Sequence, residues 1–126
     1  MKTPESRLDA AFVETQRQKL LRLRASLAAA VRAAESDAAD VKSERADGAL
    51  EFEDDAQVLD ALERDGDLYV RSVERLEHID RALKKIAEGT YGLSDISGQP
   101  IPRERLQSVP EALWTLSEEA ARETHR

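Results

Sequence analysis

The side chains that could do chemistry are unevenly spread along the 126 residues. Residues 44 to 67 hold ten Asp/Glu against Arg45 and Arg64, and such a block can perturb a bound cation or meet a basic surface. Read from composition alone, it is equally the solvated end of a helical protein. Ser94 and Ser97 carry hydroxyls, but no histidine is near them in sequence and neither lies in a GxSxG context, so nucleophilic catalysis has no base and no elbow. The two histidines, His78 and His125, are too far apart to form a local metal motif, and there is no cysteine. Thiolate metal sites and disulfides are therefore excluded. His78, flanked by Glu74, Glu77 and Asp80, is expected to be solvated. Trp114, the sole tryptophan, is expected to be a core anchor rather than a binding hot spot.

The formal charge is −7. Residues 1 to 33 carry seven Lys/Arg against three Asp/Glu, so the chain runs from a basic start into an acidic middle. Nucleic acid is a poor direct ligand for that distribution. The start MKTPESRLDAAF lacks an apolar signal core, and the longest apolar run, 27 to 31, is far short of the ~20 residues that span a bilayer. A soluble, cytoplasmic chain with no membrane partner is the expectation.

The elements that must position these groups are helical. At 36% charged and 4% aromatic residues, the composition suits long solvated helices better than a thick core. From Ser6 to about Glu44 there is no Pro or Gly, and Val13, Leu20, Leu23, Leu27, Ala30, Ala34 and Val41 recur at coiled-coil spacing with one gap, at Gln16. A second stripe runs through Val58, Leu62, Tyr69, Val73, Leu76, Ile79, Leu83 and Ile86 and stops before Gly89. Asp47 and Gly48 supply turn chemistry between the stripes. The expected fold is all-α: a long antiparallel helical hairpin, or coiled coil, over 1–88 with its acidic tip near 47–56. A small turn-rich module and a short final helix follow over 89–126. Ser108 and Glu111 read as a capping box opening that last helix. Leu113, Trp114 and Leu116 are expected to pack on Leu93, Ile96, Ile101 and Leu106. Gly66 interrupts the second helix at a cost of about 1 kcal/mol relative to Ala.

The segment Tyr91-Gly92-Leu93-Ser94-Asp95-Ile96-Ser97-Gly98-Gln99-Pro100-Ile101, followed by Arg105-Leu106 and Val109-Pro110, resembles the DksA/TraR family of bacterial transcription factors. Family members carry YGxCxxCGxxI, then RL, a Pro and a second CxxC after a long helical hairpin. The four cysteine positions are occupied here by Ser94, Ser97, Thr115 and Glu118, so the resemblance implies a metal-free, zinc-independent version of the finger, held by apolar packing around Trp114.

An ungapped count from Tyr91-Gly92 places the family's acidic tip pattern DxxDxA on residues 51 to 56. Glu51, Asp54 and Ala56 are thereby candidate partner-binding residues, and Arg71 aligns with a family arginine on the second helix. His78, Val109 and Glu119 fall where members responsive to ppGpp carry basic residues, which implies loss of that phosphate pocket. The resemblance thus implies a non-enzymatic regulator that binds RNA polymerase as a monomer, enters its secondary channel tip-first and makes no sequence-specific DNA contact. The alternatives are a helical scaffold or dimerisation protein without polymerase binding, and a competitor that blocks the channel against other factors. No cofactor is expected.

Overall fold

In the computed structural model, residues 8–46 and 55–124 are described, with the side chains of residues 38, 41–46 and 55–63 left aside. Helix α1 spans Ala10–Ala46, α2 Asp55–Glu88, α3 Arg103–Ser108 and α4 Leu116–Thr124. The two long helices pair in antiparallel sense. Gln16 meets Tyr91, just past the end of α2, at 3.1 Å, and Arg24 meets Asp80 at 2.6 Å, so α1 numbers rise as α2 numbers fall.

Each long helix has a definable end. Asp9 caps α1, its Oδ1 accepting from the Phe12 amide at 2.7 Å, which satisfies one of the orphan donors of the first turn. The helix therefore begins four residues later than Ser6, where propensity alone would start it. At the other limit, α2 closes in a Schellman motif: Thr90 N–H reaches Lys85 C=O at 2.8 Å and Gly89 N–H reaches Ile86 C=O at 3.3 Å. Gly89 sits at φ +82°, the left-handed region that a Cβ disfavours.

The chain divides into two compact units, Met1–Arg24 with Glu77–Arg126, and Ala25–Leu76. Among the described residues, the first holds most of the buried side chains. Leu8, Phe12, Leu20, Ile79, Ala82, Tyr91, Ile101, Leu106, Ala112 and Leu113 are all buried there. Gln16, the gap in the apolar seam, is fully buried among them. In the second unit Val31 is buried, whereas Leu27, Tyr69, Val73 and Leu76 are half-buried and Ala30 is exposed. Alanine offers little area to bury, so the seam there is thin.

Residues 89–115 turn rather than run straight, with an isolated antiparallel bridge between Leu93 and Pro100 and the one-and-a-half-turn α3 inside a stretch whose period looked non-helical. Two sequence expectations need correction. Ser108 ends α3, its hydroxyl bonding back to Glu104 C=O at 3.2 Å, so it opens no helix. The capping box stands seven residues on, at Thr115 and Glu118: the Thr115 amide donates to Glu118 Oε1 at 2.8 Å, and the Glu118 amide donates to Thr115 Oγ1 at 3.3 Å. Both sites satisfy the sequence rule, but the hydroxyl of Ser108 is already turned back onto the last turn of α3, whereas Thr115 and Glu118 are free to bond each other's amides. Ile96 and Leu116, expected in the small core, are 54% and 67% exposed.

Candidate functional site

Glu51 and Asp54 lie outside the described residues, as do Asp47 and Gly48. Ala56 lies in the first turn of α2, and Arg71 is exposed on the same helix fifteen residues on.

The C-terminal module is where charged and polar side chains converge. Asp95 is the first focus. Arg81 grips it with two parallel bonds, Nε and its second guanidinium nitrogen at 2.9 and 3.0 Å, and Lys85 Nζ lies 3.0 Å from its Oδ1. The Arg81 hydrogen bond, reinforced by Lys85, holds the Asp95 carboxyl below the usual carboxylate range against a raising effect of burial. Lys85 is nearly fully buried, and its ammonium also donates to Leu93 C=O. A buried lysine requires such partners, because an unpaired ammonium out of water is costly. The basic end of α2 is thus a clamp on the following turn as well as a complement to the helix dipole.

Gln16 is the second focus. Its Nε2 donates to Leu106 C=O at 2.6 Å and to the Tyr91 hydroxyl at 3.1 Å, and that hydroxyl donates onward to Pro110 C=O at 2.9 Å. Burial pushes the Tyr91 phenol up to about 12, so it remains a donor throughout the working pH range. One amide on α1 thereby holds two turns of the module.

The third focus is the set of positions that align with the family's zinc cysteines. Ser94, Thr115 and Glu118 are joined: the Ser94 hydroxyl donates to Glu118 Oε1 at 2.7 Å, the same oxygen that receives the Thr115 amide. The Ile96 and Ser97 amides donate to Ser94 Oγ at 3.0 and 3.2 Å. Bonds from the Ser97 hydroxyl, the Thr115 amide and the Ser94 hydroxyl pull the Glu118 carboxyl down to about 2. These groups do not fit zinc. Three neutral hydroxyls are poor ligands, and the single carboxylate is already engaged by donors. Among the described residues, no group of three or more His, Cys, Asp or Glu side chains is placed to hold a metal ion.

Trp114 is only half-buried. Its ring meets His78 edge-on at 5.4 Å between centroids, the Arg122 guanidinium lies 4.0 Å over its face, and its indole N–H donates to Glu119. His78, expected to be solvated, is half-buried against this indole. His78 and Glu119, which the resemblance sets against basic residues of ppGpp-responsive proteins, thus both contact Trp114. The sequence pattern missed this because its reading of His78 used only neighbours on the same helix. Among the described residues, no helix is long and apolar enough to cross a membrane.

No family model matches the chain. Among curated proteins, "General stress protein 16O" of Bacillus subtilis is 45% identical over 56 residues, 43% of this chain and 34% of that protein. The uncharacterized protein YteA of the same organism is 43% identical over 65 residues, 52% of this chain and 27% of YteA. The chain therefore spans about a third or less of the length of the curated relatives it matches. Among solved structures, transcription factor DksA2 from Pseudomonas aeruginosa aligns with TM-score 0.70 and 26% identity, over 93% of this chain and 87% of that one. A protein described as RNA polymerase binding protein and transcriptional regulator Dks, from Chlamydia trachomatis, aligns with TM-score 0.59 over 94% of both chains. At 24% identity, that second likeness is one of fold. With its paired helices and its turn module clamped to the end of α2, the chain is thus similar in fold to the transcription factor DksA2, and it holds no cysteine.

Proposed function

We propose that this chain is a non-enzymatic, cytoplasmic transcription regulator that binds RNA polymerase and enters its secondary channel with the end of its helix pair. The observation that carries the reading is the likeness to the transcription factor DksA2 over 93% of the chain at TM-score 0.70. The sequence pattern adds an acidic segment, residues 51–56, in which Asp54 and Ala56 match the family's tip pattern and Glu51 is a longer acid.

On this reading the helices supply the docking area and the tip supplies charge near the catalytic centre of the polymerase. Arg71, exposed on α2, is a docking contact with the polymerase rim. The protein acts as a monomer and recognises protein, with no sequence-specific DNA contact. Co-purification of the full chain with core RNA polymerase tests the binding. Retention on the polymerase is expected, and its absence at micromolar concentration leaves the helical scaffold as the better account.

Docking and action are separable by mutation. Asp54→Asn removes one charge at nearly constant size, so it should abolish the effect on transcription initiation while changing polymerase affinity by less than about tenfold, or ~1.4 kcal/mol. Glu51→Gln should act in the same direction more weakly, and Arg71→Ala should weaken binding itself. Wild-type promoter output from Asp54→Asn would reduce the acidic tip to a solvated turn.

A further inference from the structure

Helix α4 has no buried residue, so apolar burial does not explain what holds it. Its contacts divide into two kinds. Glu119 and Arg122 turn back on Trp114, just ahead of the helix, whose ring meets His78 of α2 edge-on. Glu118 reaches directly to the 94–99 turn, across 24 residues of sequence to the Ser94 hydroxyl and also to the Ser97 hydroxyl.

Ser94 is itself firmly placed. It is buried, its amide donates to Gln99 C=O at 2.9 Å, its carbonyl accepts from Gly98 N–H at 2.9 Å, and the adjacent Asp95 amide donates to Leu113 C=O at 2.7 Å. Asp95 in turn is held by Arg81 and Lys85 of α2. A continuous series of polar contacts therefore runs from α2 through the 94–99 turn to the first turn of α4.

We propose that Glu118 is the positioning residue of the C-terminal module: its carboxylate is the tie that fixes α4 to the 94–99 turn by charge-assisted hydrogen bonds, with no metal. One carboxylate oxygen receives the Thr115 amide and the Ser94 hydroxyl, so the helix cap and the long-range tie share an atom. Charge-assisted bonds are about twice as strong as neutral ones. A short segment with little area to bury needs a cross-link of some kind, and here it is a carboxylate. The inference goes beyond the polymerase reading and stands without it.

The test is amide hydrogen exchange on the full chain, with wild type, Ser94→Ala, Ser94→Ala/Ser97→Ala, Glu118→Gln and Glu118→Ala, each with and without EDTA. In every variant the amides of residues 116–120 should exchange about tenfold faster or more, while amides around Leu20 and Ile79 keep their protection. Ser94→Ala, alone and combined with Ser97→Ala, is decisive, because it removes the turn's hydroxyls from Glu118 and leaves the Thr115–Glu118 cap intact. Protection of the Gly98 amide, bonded to Ser94 C=O, reports whether its turn stays folded. If that turn opens, the Ser94→Ala/Glu118→Ala double variant decides: effects that simply add overturn the tie, and effects that fall short of adding support it. Wild-type exchange at 116–120 in Ser94→Ala/Ser97→Ala with a folded turn would make Glu118 a local helix cap and overturn the proposal. Faster exchange of the wild type in EDTA would overturn it as well, by exposing a metal as the true tie.

Discussion

Gln16 occupies a position of α1 whose neighbours four residues away, Phe12 and Leu20, are both buried apolar side chains. By spacing alone it breaks the seam, yet its amide is the group that joins α1 to the turns at Leu106 and Tyr91. Gln16→Leu restores the apolar period but strips Leu106 C=O of its buried donor. It should therefore destabilise the fold by about 1–3 kcal/mol, read from urea denaturation with an unchanged slope. Trp114 carries less than its size suggests, because it is half-buried. Trp114→Ala should cost less than the ~3–5 kcal/mol of a fully buried tryptophan.

Glu118 gives a pH dependence. Its folded-state value, about 2, lies below the ordinary 4.5, so its stabilisation is fully present above about pH 4.5 and is lost as pH falls through about 2. Trp114 fluorescence should report loosening of the module in that acid window, and Glu118→Gln should remove part of the dependence. Asp95 and Glu14, also lowered, contribute with the same sign.

At the scale of the elements, the two long helices owe their ends to local chemistry that differs at each site. Gly66 and Gly89 bracket the described part of α2's second stripe, and a Cβ at either would meet open space. Their backbones differ. Gly66 lies within a regular helix, so Gly66→Ala should stabilise by about 0.5–1 kcal/mol. Gly89 stands at φ +82°, so Gly89→Ala should destabilise by about 1 kcal/mol through strain at the Schellman turn. Thermal melts of the two variants should shift in opposite directions, and a shift of like sign would show that one of the two backbone assignments fails. The start of α4 was legible as a rule but not as a place, because Ser108–Glu111 and Thr115–Glu118 both fit the capping pattern.

At the scale of the whole molecule, the unit formed by Met1–Arg24 and Glu77–Arg126 holds nearly all the side chains that are buried among the described residues. Its polar ties, Gln16 to Leu106, Asp95 to Arg81 and Glu118 to Ser94, replace what a metal centre supplies in a short module. Purified protein should accordingly hold no stoichiometric zinc, and chelator should leave its thermal midpoint unmoved. A downward shift of several degrees in EDTA would mean that a metal site contributes to folding.

By itself the sequence determined the helix pair and the point where it stops. Both follow from local rules: an apolar period of 3.6, the absence of Pro and Gly over α1, and a glycine after the last periodic residue. It also determined that the finger positions hold no thiolate, since that is a matter of residue identity. Only the tertiary structure decided which polar groups are buried and with whom. Gln16 looked like a defect, His78 like a solvated side chain and Glu118 like a lost ligand, because each finds its partner on a segment 24 to 90 residues away or, for His78, on the far indole. Periodicity reports which face of a helix is apolar. It carries no information on which carbonyl or hydroxyl the folded chain will bring to a polar group on that face, and in this protein those pairings hold the C-terminal module in place.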